Sequence, residues 1–430
     1  MATNEQFIPR NYRLGIANGA LFMGGIAFLD QQAVVPVFLV ALGASNLVVG
    51  LASAASVAGF LLPTLLMAHP IETAERKLPY YRLSAATRTL ALGVLAAATL
   101  LMGRSHPILL SALTVVLLCS FNAAIAVGVL PFYEVVAHSV PARRRGRFYA
   151  WRMVLGSALA IGSALAVKWL LDEGRSGLTF SQGFASAFSL GMLFCGTGAL
   201  VFCFVREPAM PVDRRGMGLV AKLHEGWRLT CEDASYRRLL ICRVATSAMA
   251  VATPFYVLYC LKELGAPRER AALFLIAAKL TTLTAYPLWA RVSDGRGNAR
   301  LLRLSSLLAL VPPLLAIALR LAPADALTMR WTLAIALHVV ATATLSGYHM
   351  GATNYVMEIA PRERRPLYIA MGFAWITPVV FLAAPFGGWL ADTFTEGHLM
   401  TFALAVAFGI AAVAAAFGLH EPREATHASD

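Results

Sequence analysis

Charge is scarce in this sequence. Only 14% of its 430 residues are Asp, Glu, Lys or Arg, whereas 58% are hydrophobic and the mean hydropathy is +0.67. A chain of this length folded in water would make about three domains of roughly 150 residues, with far more charge to cover them. The composition therefore excludes a soluble fold and makes lipid the main solvent. Signature motifs of catalysis are also missing. There is no GxxxxGK phosphate loop and no HExxH, and His224-Glu225 is not followed by a second histidine, so neither a nucleotide-driven pump nor an enzyme is expected. Cysteines are few and form no CxxC pair: Cys119, Cys195, Cys203, Cys242 and Cys260 lie in apolar stretches and Cys231 in a charged loop. Free thiols, no metal site and no cofactor are expected. Period-two alternation is absent, which argues against a membrane β-barrel.

Long apolar runs are what remains. Twelve stretches of about 20 residues or more follow one another, each long enough to cross a hydrocarbon core of roughly 30 Å as a helix. They cover residues 14–42, 46–69, 82–103, 107–137, 148–171, 182–205, 239–261, 269–289, 300–321, 329–358, 367–391 and 398–419. In lipid the backbone must satisfy its own polar groups, so these are expected to be helices of an all-α integral membrane protein. The first run is too long for a signal peptide and lacks a small-residue cleavage site, so it is expected to be retained.

The net charge of +13 is distributed as a topology signal rather than as a nucleic-acid surface. Arg10, Arg13, residues 76–82, 143–147, 206–238, 291–303, 362–365 and Arg423 fall on one side of the predicted spans and carry most of the Lys and Arg. By the positive-inside rule this side is cytoplasmic, with both termini inside. The richness in Ala, Leu and Arg points to a bacterial inner membrane.

The chain also repeats itself. Pro141 with Arg145, Tyr149, Trp169-Leu170 and Asp172 recurs 220 residues later as Pro361, Arg365, Ile369, Trp389-Leu390 and Asp392, with the tyrosine shifted to Tyr368. Arg82-Leu83-Ser84 recurs as Arg303-Leu304-Ser305, and Pro36 with Leu42-Gly43-Ala44 as Pro254 with Leu264-Gly265-Ala266. Two related halves follow: a six-helix bundle over residues 1–205, a cytoplasmic linker over 206–238, a second six-helix bundle over 239–420, and a disordered tail over 421–430. In the linker, Leu219, Leu223 and Trp227 recur at helical spacing, which suits either a short interfacial helix or a solvated segment.

Twelve helices in two repeats of six with a basic central loop resemble the major facilitator superfamily of secondary transporters. Pro36 to Gly50 resembles its first hairpin, Ala290 to Gly297 with Asp294 its cytoplasmic acid-and-glycine motif, and Pro385 to Asp392 the end of its eleventh helix. In the first half that motif is degraded to His69-Pro70-Ile71-Glu72, and the motif of drug antiporters is absent from helix five. The resemblance implies a substrate site at the midplane between the halves, reached alternately from each side, and inner gates at Asp294, Glu134, Glu358, Arg145 and Arg365. Positive-inside anchoring is the alternative role for the arginines, with contacts to anionic lipid headgroups.

Polarity inside the predicted helices marks the candidate site, because an ionisable group in mid-helix costs about 2.5 to 3.5 kcal/mol on insertion scales. Asp30, with Gln31 and Gln32, lies in the first helix, where Pro36 is expected to open the turn from Gln32. Asp30 reads as a proton or cation site, or as half of a structural ion pair. Lys279 lies near the middle of helix eight, and either holds an anionic group or pairs statically. Helix ten carries His338, Tyr348 and His349; a relay or substrate contact is one reading, a hydrogen-bonded core histidine the other. Asn122 and Tyr256 complete the expected lining. Ion-coupled secondary transport is the function expected, with a facilitator or a non-transporting sensor on the same fold as the alternatives. The partner expected is a small, anionic or amphipathic solute carried by a monomer.

Overall fold

The computed structural model describes residues 8–72, 74–140, 142–207, 219–361 and 364–421, and every extended regular element among them is helical. In chain order these are α1 (Ile8–Ala27), α2 (Val34–Ala41), α3 (Asn46–Glu72), α4 (Leu78–Met102), α5 (Pro107–Ser139), α6 (Ala142–Leu171), α7 (Glu173–Ser176), α8 (Phe180–Cys203) and α9 (Leu219–Glu232). There follow α10 (Ala234–Ala248), α11 (Tyr256–Leu264), α12 (Ala271–Arg296), α13 (Asn298–Ala309), α14 (Val311–Leu321), α15 (Leu327–Ile359), α16 (Arg365–Thr393) and α17 (Gly397–Phe417). Among the described residues ten segments are long and apolar enough to cross a membrane, with α10–α11 and α13–α14 each counted as one. The broken pair α1–α2 and α3 complete six per repeat, the arrangement expected from the sequence.

The chain divides into two compact units, Met1–Ala44 with Ala55–Leu219 and Ser45–Ala54 with Val220–Asp430. In the first, α1, α4 and α6 start at one end, where Tyr12, Leu78, Tyr81 and Phe148 pack with Val135, Val136, Phe202 and Val205 from the ends of α5 and α8. The second unit builds the corresponding cluster from Tyr236, Leu239, Leu302, Tyr355, Tyr368 and Leu419.

Helix ends at these clusters are closed by charged groups of opposite sign. A helix start leaves N–H groups unpaired and a helix end leaves carbonyls unpaired, so a carboxylate suits the first and a guanidinium the second. In the first unit Glu207 accepts from the backbone N–H of Lys77 (2.5 Å) and Leu78 (3.1 Å) at the start of α4, while Arg82 donates to the Cys203 carbonyl at the end of α8 (3.3 Å). In the second, Glu421 accepts from the Ala299 N–H at the start of α13 (3.0 Å), and Arg303 donates to the carbonyls of Ala416 and Leu419 at the end of α17. The Arg-Leu-Ser repeat thus does one job twice. Glu421, expected to open a disordered tail, is instead docked, because its carboxylate completes that clamp.

The first helix of each repeat is interrupted. In the first unit the break covers Phe28 to Ala33, upstream of the opening expected at Gln32 to Pro36, because Pro36 sits in the first turn of α2, where a missing N–H costs nothing. In the second, residues 249–255 wind as short 3₁₀ turns around Pro254 before α11 begins.

Candidate functional site

Asp30 holds the first break together. Its Oδ1 accepts from the N–H groups of Gln32 and Ala33, both at 3.1 Å, and its carbonyl accepts from Val34 (2.9 Å) and Val35 (3.0 Å). The half-buried carboxylate therefore ties the backbone of the break, while the Asp30 carbonyl takes the first two N–H groups of α2. Gln31 is half-buried beside it and Gln32 is exposed.

In the second unit Lys279 is half-buried on α12. His338 on α15 stacks on Phe274 of α12, with ring centroids 4.2 Å apart and planes at 8°, and its Nδ1 bonds to the Ala334 carbonyl (2.8 Å). Tyr348 is buried and donates to the Arg243 carbonyl (3.4 Å), while His349 next to it is exposed. Tyr256 is buried against Phe402, its ring stacked at 5.5 Å. Asn122 on α5 donates back to the Leu118 carbonyl of its own helix (2.8 Å).

Of the residues expected at the gates, Glu358 accepts from Asn298 Nδ2 (2.9 Å), and Asn298 is linked through Ser293 (2.7 Å) to Asn354 (3.2 Å), joining α12, α13 and α15. Arg365 donates to the carbonyls of Met357 (2.7 Å) and Ala360 (3.3 Å) and closes the end of α15. Asp294 and Glu134 are exposed, and the Arg145 side chain lies outside the described residues.

A second constellation, in the first unit, escaped the sequence reading. Asn18 on α1, Arg88 on α4 and Arg152 on α6 each stand ten residues beyond the first residue of their helix, a depth of about 15 Å at 1.5 Å per residue. Asn18 Oδ1 accepts from Arg152 Nη1 (3.2 Å), and Asn18 Nδ2 donates to the Tyr81 hydroxyl (2.9 Å) and the Gly198 carbonyl (2.8 Å). The Tyr81 hydroxyl also accepts from Arg88 Nη2 (2.8 Å), and Arg152 Nη1 donates to the Gly15 carbonyl. Aromatic faces cover the rest: Phe132 lies 4.5 Å from the Arg152 guanidinium, and Tyr81 and Phe22 lie 5.1 and 5.5 Å from that of Arg88. Gly19 leaves room for this placement, since a Cβ on it would displace the Arg152 guanidinium. Two cations this deep carry the insertion cost of about 2.5 to 3.5 kcal/mol each, and cation–π contacts return only about 0.5 to 2 kcal/mol apiece.

Residues 239–430 match the family described as Major Facilitator Superfamily. The second half of the chain thus matches the major facilitator superfamily. No curated protein matches it in sequence. Among solved structures, it is similar over 96% of its length to a point mutant of the nucleoside transporter NupG (98% of that chain, TM-score 0.72, 11% identity) and to a D-xylose-proton symporter (97% of that chain, TM-score 0.71, 16% identity). A bacterial homologue of the iron transporter ferroportin also matches over 96% of this chain and 98% of its own (TM-score 0.68, 13% identity). At these identities the likeness shows a shared fold.

The family match of the second half, the fold shared with solved transporters and the apolar helices together support a multi-pass membrane transporter. Within that fold, Arg88 and Arg152 went unread because hydropathy placed their helix starts at 82 and 148, making both look shallow enough to reach the surface. The helices begin at Leu78 and Ala142. Counting from the start of α4 that Glu207 caps would have put Arg88 in mid-span.

Proposed function

We propose that the protein is a secondary active transporter that moves a small solute by alternating access, coupled to a proton or other ion gradient through Asp30 and Lys279. The observation that carries this reading is the interruption of the first helix in both repeats, at residues 28–33 with Asp30 in the break and at residues 249–255 before Tyr256. Broken helices free backbone dipoles and polar side chains inside the membrane, which transporters use to bind solute and ion. Lys279 supplies a cation in a span otherwise poor in charge, and His338, Tyr348, His349, Asn122, Gln31 and Gln32 supply polar contacts. Asp294, Glu134, Glu358, Arg145 and Arg365 act at the inner ends as gates. We place both termini on the cytoplasmic side of a bacterial inner membrane and take the working unit as a monomer.

Proteoliposomes with an imposed pH gradient test the coupling. Asp30→Asn should abolish gradient-driven accumulation while leaving solute exchange measurable; unchanged accumulation sinks the coupling role. A facilitator is the second reading. It is favoured by the two backbone N–H groups already held by Asp30 Oδ1, a structural duty that needs no protonation change.

A further inference from the structure

Arg88, Arg152, Tyr81 and Asn18 form a cluster that the coupling residues do not explain. Among the described residues no carboxylate bonds to either guanidinium, and every partner they have is neutral: an amide, a hydroxyl, a backbone carbonyl and aromatic rings. Arg88 is 4% exposed, and its Nε–H has no acceptor among the described residues. The Tyr81 hydroxyl accepts two hydrogen bonds, one from Asn18 and one from Arg88, and keeps its own hydrogen to donate. Both Asn18 amide hydrogens are spent, on Tyr81 and on Gly198, so the side chain is fixed with its oxygen toward Arg152. The result is a surplus of donors and of positive charge in the bundle interior, with acceptors exhausted.

A group with acceptors only and negative charge is the complement of such a site. Guanidinium forks match carboxylate and phosphate oxygens in pairs of parallel hydrogen bonds. We propose that Arg88, Arg152 and Tyr81, positioned by Asn18, bind an oxyanion, and that the transported solute carries a carboxylate or a phosphate. The part of this that concerns the solute rests on the transporter reading above; the site itself does not. Arg243 in the second unit is the internal control. It too is a cation inside a span, but its guanidinium packs on Gly372 and Phe373 and beside the Tyr348 hydroxyl, and it shares no polar bridge with a second arginine among the described residues.

The test uses the full chain in phosphatidylcholine nanodiscs, with inorganic phosphate and succinate as probes against chloride at matched ionic strength. A ligand that binds only the folded state raises Tm by mass action. Phosphate or succinate should raise Tm by several degrees in the wild type and in Arg243→Gln, and should do nothing in Arg88→Gln or Arg152→Gln. Arg152→Lys, which keeps charge but loses the fork, should bind about tenfold more weakly, and Tyr81→Phe should weaken binding without unfolding the bundle; these two decide the matter if the glutamine variants fail to fold. No oxyanion-specific shift in the wild type, or an equal shift in the arginine variants, overturns the site. Stabilisation by phosphatidylglycerol discs alone, with none from free phosphate or succinate, identifies a lipid headgroup and overturns the solute assignment. Binding without transport in proteoliposomes sinks the transporter reading and leaves the site standing, whereas transport of a neutral solute with no oxyanion shift does the reverse.

Discussion

The two units agree at their ends and differ in their interiors. At the ends, Glu207 and Glu421 hold the starts of α4 and α13 while Arg82 and Arg303 hold the ends of α8 and α17. Inside, the first unit lays a guanidinium from α6, Arg152, over Gly19 of α1, whereas the second lays one from α10, Arg243, over Gly372 of α16. Gly372 stands 220 residues after Arg152, so the repeat position that carries the cation in one unit is the glycine that receives it in the other. Matching positions at the ends have kept a structural duty. The interior positions differ, and the proposed oxyanion site is among them.

Asp172 and Asp392 show the same divergence at the far ends of α6 and α16. Asp172 caps the short α7 that follows it, accepting from the Arg175 N–H (3.2 Å) and pairing with its side chain (3.4 Å). Asp392 instead accepts from Asn46 N (3.0 Å), Asn46 Nδ2 (2.8 Å) and Leu47 N (2.8 Å) at the start of α3. Gly50 and Gly388 let those backbones meet, since a Cβ on Gly388 would overlap the Asn46 carbonyl and one on Gly50 the Ala384 carbonyl.

Substitutions can break or sharpen this contrast. Gly388→Val should have the largest effect, on the order of 1 to 3 kcal/mol or more of overpacking, read as a loss of Tm in detergent; Gly162→Val, at a site with open space around it, should be far milder. Equal losses would mean that the α3–α16 crossing is not close-packed. Next come the end clamps. Glu207→Ala should cost about 1 to 2 kcal/mol and Glu421→Ala about half of that, in proportion to two N–H groups capped against one. A larger loss at Glu421 would break the equivalence of the two clamps. Asp392→Ala should then cost about 1 kcal/mol and Asp172→Ala a few tenths, because a cap with three donors is compared with a largely exposed i,i+3 pair; thermal unfolding of the two variants side by side decides it. Comparable to Asp392→Ala, Tyr368→Phe removes the bond to Asp233 (2.6 Å) and should cost about 0.5 to 1.5 kcal/mol, with no effect on oxyanion binding in the first unit.

Much of the fold was legible in the sequence because hydropathy and a fixed offset carry it. The twelve apolar runs and the repeat follow from chemistry that acts over a few residues, whereas the opening expected at Gln32 to Pro36 lies upstream, at Phe28 to Ala33. What stayed hidden depends on partners far along the chain. Nothing local says that Glu207 will cap a helix starting at Leu78, yet that cap moves the helix start outward by a turn and makes Arg88 a mid-span residue rather than a shallow one. Asp30 was found by its charge alone, but its bonds to Gln32 and Ala33 needed the break to be located first. Asp172 and Asp392, alike in sequence, part ways because only one of them meets another helix start.

Glu207 carries one more consequence. Arg206 is bound to Asn11 in both directions, with its N–H donating at 3.2 Å and its carbonyl accepting at 3.0 Å, and Glu207 is bound to the first turn of α4. Arg206 and Glu207 are thus riveted to α1 and α4 rather than hanging from the end of α8. Any tension on that segment, from a fused domain or a tether, would load those two helices first, the same two that carry Asn18, Tyr81 and Arg88.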